Sequence, residues 1–343
     1  MKKIIALVIL IRPPVLYAGG YPGEFQDIGV GARAIGLGNS FISLADDVSA
    51  VYWNPAGLSG IIRPQIGLGY VQLFQDTDYS NVAADFPISK RAGIGLSWSR
   101  IAVKNIEITD FTSTDSLGTI DTGQDSMILG AGYKLGHKIS VGLSGKYLSQ
   151  SLGDYSDSGY SSDIGILYGG VKHRLAFVMK DIYGVSGGEK IPANFLVGWT
   201  WSGFWEMKPS EEEEIYEPHM MPSQMASHKD EKFNFQRPET GSNSKVEVKR
   251  GPVTVRTHFS LAVSYSPEMN NQLGAGESFE CWINDSYALR AGLEQTDFTQ
   301  RLSNINGMTL GGSIKFDHMG LDYSYKYYDR LDGRHYITLS YYI

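Results

Sequence analysis

From Val253 to Tyr265 apolar and polar side chains alternate almost without a break. Val253, Val255, Phe259, Leu261, Val263 and Tyr265 fall on one parity, and Thr254, Arg256, His258, Ser260 and Ser264 on the other. A period of two puts these sets on opposite faces of an extended strand. The pattern recurs. Ile94, Leu96 and Trp98 oppose Gly93, Gly95, Ser97 and Ser99, while Ile139, Val141, Leu143 and Tyr147 oppose Ser140, Gly142, Ser144 and Lys146. Fourteen such segments can be placed, over 64–74, 78–88, 91–103, 125–135, 138–150, 158–169, 172–182, 191–203, 253–266, 272–283, 286–296, 306–316, 319–328 and 333–343. One apolar face, with small or charged residues on the other, suits a lipid-embedded barrel better than a soluble sandwich. The expected fold is therefore all-β: a transmembrane antiparallel β-barrel of about 14 strands.

Connection lengths support that expectation. Those at 136–137, 170–171 and 317–318 are short and share one end of the barrel. Those at 104–124, 151–157, 183–190 and 297–305 share the other and are longer. Short periplasmic turns and longer external loops have this asymmetry. The exception is 204–252, a long polar stretch at the short-turn end that carries Glu211–Glu214, Met220, Met221, Met225, His219 and His228. It is expected to be a polar periplasmic insertion that buries little apolar surface.

Ahead of the first strand, Gly29–Gly38 and Ala45–Gly57 are rich in small residues and end in Asn54-Pro55-Ala56-Gly57. Asp46 or Asp47 can cap one helical turn over Val48–Trp53, and Pro55 forces Asn54 to be extended and ends that turn. Too short of large apolar side chains to fold alone, the segment should pack inside the barrel as a plug. Gly31, Arg33, Asp46, Asp47, Trp53, Asn54, Pro55, Ala56 and Gly57 are its candidate gate residues. Here the run Gly31–Gly57 resembles the N-terminal plug, or hatch, of the long-chain fatty-acid transporter (FadL-like) superfamily of outer-membrane barrels. Its wording, Gly-Ala-Arg-Ala with Asp-Asp and Tyr-Trp-Asn-Pro-Ala-Gly, is most similar to the PorV/PorQ family. That resemblance implies a fourteen-stranded plugged barrel in the outer membrane of a Gram-negative (diderm) bacterium. It also implies a role in transport: binding and shuttling of secreted proteins in a type IX-like secretion system, or passive uptake of long-chain fatty acids and other hydrophobic compounds. Implied partners are outer-membrane lipid, secreted proteins or secretion-system components, and hydrophobic small molecules.

Both chain ends fit export to that membrane. Lys2-Lys3, the apolar run Ile4–Ile11 and Leu16-Tyr17-Ala18 read as a signal peptide over 1–18, too short to span a bilayer. A plug over 19–62 and a barrel over 63–343 follow. Ile337, Leu339, Tyr341 and Ile343 make an apolar terminal strand, resembling the sorting signal that outer-membrane insertion machinery reads. Tyr70, Trp98, Trp199, Trp201, Tyr323 and Tyr325 suit aromatic girdles. The low mean hydropathy of −0.19 argues against a helical membrane protein but not against a barrel.

No enzyme chemistry is expected. The single Cys281 offers no disulfide partner, seven scattered His lack metal-ligand spacing, and no Gly-x-Ser-x-Gly elbow occurs. Gly29–Gly38 departs from dinucleotide-fingerprint spacing. No catalytic residue, metal or cofactor is assigned, and a net charge of −7 disfavours nucleic acid. The inward parity does carry charge: Lys146, Asp163, Arg174, Arg256, Arg290, Glu294, Lys315 and Asp322. These are expected to face the lumen, pairing with one another and with Arg33, Asp46 and Asp47, or to line a solute path.

Overall fold

The computed structural model describes residues 21–73, 77–108, 117–207, 252–269, 272–295, 307–328 and 333–343. The strands are β1 (Gln65–Gln72), β2 (Thr77–Ser89), β3 (Ala92–Ile108), β4 (Gly118–Lys134), β5 (Ile139–Leu152), β6 (Tyr155–Gly169), β7 (His173–Ser186) and the two-residue β8 (Glu189–Lys190). After them come β9 (Asn194–Met207), β10 (Val253–Ser266), β11 (Gln272–Ile283), β12 (Tyr287–Gln295), β13 (Met308–Lys315), β14 (Met319–Lys326) and β15 (Arg334–Tyr342). Apart from β8, which pairs only with β7, every strand bonds antiparallel to its neighbours, and β1 closes on β15. The result is a closed 14-strand up-and-down barrel, and closure leaves its wall no free edge.

Each of the fourteen expected segments coincides with a long strand; the differences are at the ends. β3 and β4 run further than expected at the long-loop end, where Ile106 pairs with Ile120 beyond a bulge at Asn105, whose φ is 56°. β9 continues to Met207, opposite Val253, because it stays paired with β10 past the neighbouring β7. Residues 204–207 are thus strand, not part of an insertion beginning at 204. The expected signal peptide over 1–18 and most of that insertion lie outside the described residues.

Alternation sorts the wall. Outward side chains form cross-strand apolar rows: Leu321 sits opposite Leu339, Leu339 opposite Leu68, Leu68 opposite Val82 and Val82 opposite Trp98. Leu129 and Leu143, 64% and 59% exposed, belong to the same belt. Such a continuous apolar surface is unstable against water and stable against hydrocarbon. No helix among the described residues is long and apolar enough to cross a membrane.

Inside lies the N-terminal segment as a chain of short turns: a 3-10 turn at Glu24–Ile28, α1 (Ala32–Gly36), a 3-10 turn at Ser40–Ser43, α2 (Ala50–Trp53) and a 3-10 turn at Pro55–Gly60. Leu37, Phe41, Ile42, Val51 and Leu58 are fully buried, together with Ile128 and Val178 of the wall. The core of the molecule is the contact between plug and barrel. α2 begins at Ala50, later than the expected Val48. Asp47 prepares it, its Oδ1 accepting from Ser49 N at 2.9 Å and Ser49 Oγ at 2.6 Å, while Asp46 turns to Arg33.

Candidate functional site: the plug and its seat

An irregular backbone inside a barrel needs partners for its N–H and C=O groups, and the inward hydroxyls of the wall supply them. Ala32 N donates to Thr338 Oγ1 at 2.9 Å, while Ser324 Oγ donates to Ala32 O at 2.6 Å and Thr309 Oγ1 to Gly36 O at 2.9 Å. Arg174 Nη1 donates to Leu44 O at 2.9 Å. Ser43 meets Thr200 at 2.6 Å and Ser40 meets Ser278 at 2.7 Å. Small polar residues on the inward parity thus serve as the plug's docking points.

The Asn54-Pro55-Ala56-Gly57 turn lies at the short-turn end, against β3 to β6. Asn54 is buried: its Nδ2 donates to Ile42 O at 2.9 Å, and its Oδ1 accepts from Ala56 N at 3.1 Å, capping the turn that Pro55 opens. The chain lies on bare glycine backbone. A Cβ built on Gly165 would stand 2.1 Å from Asn54 Oδ1, and one on Gly142 would stand 2.2 Å from Ala56 N. Gly57 packs so closely that its own Cβ would be 2.1 Å from Ala45 O. Trp53 Nε1 donates to Val30 O at 2.7 Å, and the N-cap residue Gly31, at φ 85°, leads into α1. Replacing Asn54 by Ala leaves a buried carbonyl and a buried N–H without partners, an expected loss of about 1–3 kcal/mol from plug docking. Hydrogen exchange at residues 40–60 should rise in that variant while exchange in the strands does not.

Arg33 carries the strongest cross-link. Its Nε and Nη2 donate to Glu280 of β11 at 2.9 and 2.8 Å, and its Nη1 reaches Asp46 at 2.6 Å and Asp47 at 3.5 Å. Burial lowers and these carboxylates raise the Arg33 pKa, and the carboxylates prevail, so the guanidinium stays charged. Burial opposes ionisation of Asp46 too, but Arg33 and Arg174 outweigh it and lower its pKa; at Asp47 burial prevails and raises it. Glu280 also faces Arg290 Nε at 3.3 Å, and Arg290 continues to Asp322 at 3.3 Å.

The other inward charges are dispersed. Lys146 bridges Asp163 at 2.9 Å and Asp181 at 3.0 Å high in the lumen. Glu294 pairs with Lys326. Lys315 lies over the Trp282 and Tyr342 rings, at 4.4 and 5.7 Å from their centres. Arg256 sits at the short-turn rim, on Asp285 at 2.9 Å, away from the plug. Glu280, Lys180, Asp181 and Asn194 were absent from the expected set, although Glu280 occupies the inward parity between Phe279 and Cys281. Among the described residues, no cluster of His, Cys, Asp and Glu could hold a metal.

At the long-loop end a cavity of about 190 Å³ opens between plug and wall. Tyr52, Trp53, Gly38 and Asn39 of the plug line it, with Lys180, Asn194, Leu196 and Ala262 of the wall.

No family model and no curated protein matches the chain. Solved structures do. It is similar to CymD, described as a monoaromatic hydrocarbon channel, at TM-score 0.53 and 12% identity over 91% of this chain and 96% of that one. It is also similar to TodX, the toluene transporter of Pseudomonas putida, at TM-score 0.51 and 12% identity over 92% and 98% of the two chains. At such identity the shared property is the fold alone. The protein is an integral outer-membrane β-barrel. Its fold is the one that these two barrels share.

Proposed function

We propose that the protein is a passive channel for small hydrophobic compounds across the outer membrane, with the plug as its gate. One observation carries this: a molecule-sized cavity opens at the long-loop end, and its floor is the plug. The plug is held by side-chain contacts and a few buried charges, not by strand pairing, so it can shift without opening the sheet. A cavity of about 190 Å³ exceeds the ~150 Å³ that holds a benzene molecule, which suits a single-ring solute. The names of the two structural neighbours agree with that size. The barrel shelters an apolar solute from water and supplies no chemical step.

The shuttling of secreted proteins implied by the PorV/PorQ resemblance rests on the motif wording alone. Flux measurements on the full-length protein in liposomes separate the two roles. Toluene entry should exceed that of protein-free liposomes and rise further when Ala56→Leu crowds the plug turn, while the barrel keeps its heat-modifiable migration. Flux equal to that of empty liposomes for both proteins would overturn the channel reading.

A further inference from the structure

The cavity is not lined by apolar groups alone. Asn194 opens β9 and lies directly opposite Lys180 of β7, so their Cβ atoms share the inward face about 5 Å apart. Asn194 Oδ1 is buried and has no hydrogen-bond partner among the described residues; the same holds for Asn39 Oδ1, on the plug side of the cavity. Lys180 Nζ stands 4.2 Å from the centre of the Tyr52 ring and 4.9 Å from that of Trp53. Among the described residues no carboxylate lies within ion-pair distance of it. The nearby acids are otherwise engaged: Asp181 holds Lys146 and Ser161, Asp27 accepts from Tyr21, and Glu294 holds Lys326. Lys180 and Asn194 both line the cavity beside the apolar Leu196 and Ala262, and among the described residues neither Lys180 Nζ nor Asn194 Oδ1 has an oxygen or N–H partner.

We propose that this cavity is a binding site for single-ring compounds that carry a hydroxyl group, phenols as a class, and that it prefers them to the corresponding hydrocarbons. A ring hydroxyl accepts from Lys180 Nζ through a lone pair and donates its proton to Asn194 Oδ1, so one group meets both needs. The ring lies against Leu196, Ala262 and the edges of Tyr52 and Trp53. A methyl group in place of the hydroxyl desolvates the ammonium and leaves both polar atoms unpaired, and this penalty sets the preference. The inference rests on the channel reading for its biological use, but the site can be tested without transport.

Phenol and toluene differ by a hydroxyl against a methyl of similar size. Titrated into the full-length protein in mild detergent and followed by calorimetry, phenol should bind about 10- to 100-fold more tightly than toluene, as for a hydrogen bond to a charged group. Asn194→Leu should bring phenol down to the level of toluene and leave toluene unchanged or tighter. Lys180→Met should act in the same direction. Both variants are first checked for heat-modifiable migration. Equal affinities in the wild type, binding of neither compound, or a phenol-to-toluene ratio unmoved by Asn194→Leu would overturn the proposal. Toluene flux without phenol preference sinks this inference and leaves the channel standing. Asn194-dependent phenol binding without any flux does the reverse.

Discussion

Gly142→Leu should open the short-turn mouth of the barrel while leaving its wall assembled. The Cβ alone would stand 2.2 Å from Ala56 N and from the Pro55 carbonyl carbon, well inside any tolerated contact. That backbone has nowhere to retreat, because Asn54 is tied to Ile42 O and Gly57 is packed on Ala45. β5 itself loses nothing: its ladder to β4 and β6 uses backbone groups that a side chain leaves intact. The strain therefore falls on the plug turn, which leaves its seat. Protease added at the short-turn side should cut within 50–60, and single-channel conductance should rise well above the wild-type value. Gly145→Leu is the control, because a Cβ on Gly145 meets nothing within 4 Å. If both variants behave alike, the glycine seat has no special role.

The fold was legible because lipid and lumen impose opposite demands on alternate residues. β10 states both, with Phe259, Leu261 and Val263 outward and His258, Ser260 and Ala262 inward and buried. The plug was legible for a different reason, its run of small residues ending in Asn54-Pro55-Ala56-Gly57, although the segment is richer in large apolar residues than expected: Leu37, Phe41, Ile42 and Leu58 bury fully inside the barrel. What parity hides is any place where the strand leaves its period. In β7 the residues Asp181 and Tyr183 have φ of 58° and 55°, and the register against β6 shifts there. Lys180 and Asp181, adjacent in sequence, consequently both reach the lumen, Lys180 over Tyr52 and Asp181 onto Lys146. No period-two rule yields that pair. Glu280 is the opposite case. Its parity was correct, but a parity does not say which of many inward charges Arg33 will choose, since that depends on strands far apart in sequence meeting around the plug.

Glu280→Gln tests that choice and should free the plug more than any other single charge change. Glu280 is the anion shared by Arg33 of the plug and Arg290 of the wall, and it is wholly buried. Removing its charge turns a bidentate charged bond into a weaker one and leaves two guanidinium groups facing each other. Asp322 still holds Arg290 and Asp46 still holds Arg33, but the anion between the two guanidinium groups is gone, so their repulsion acts between plug and wall. Breaking a buried pair from one side costs about 3–5 kcal/mol. Because the broken contact joins plug to wall and not strand to strand, the loss falls on docking, and the undocked population should rise about 150- to 5000-fold. Hydrogen exchange over 24–60 should report this while heat-modifiable migration stays at the wild-type value. The double variant Arg33→Met with Glu280→Met replaces the pair by apolar bulk and should recover most of the docking, as swaps of buried ion pairs do. A double variant as loose as Glu280→Gln would mean that the charge itself, and not merely its absence on one side, is what seats the plug.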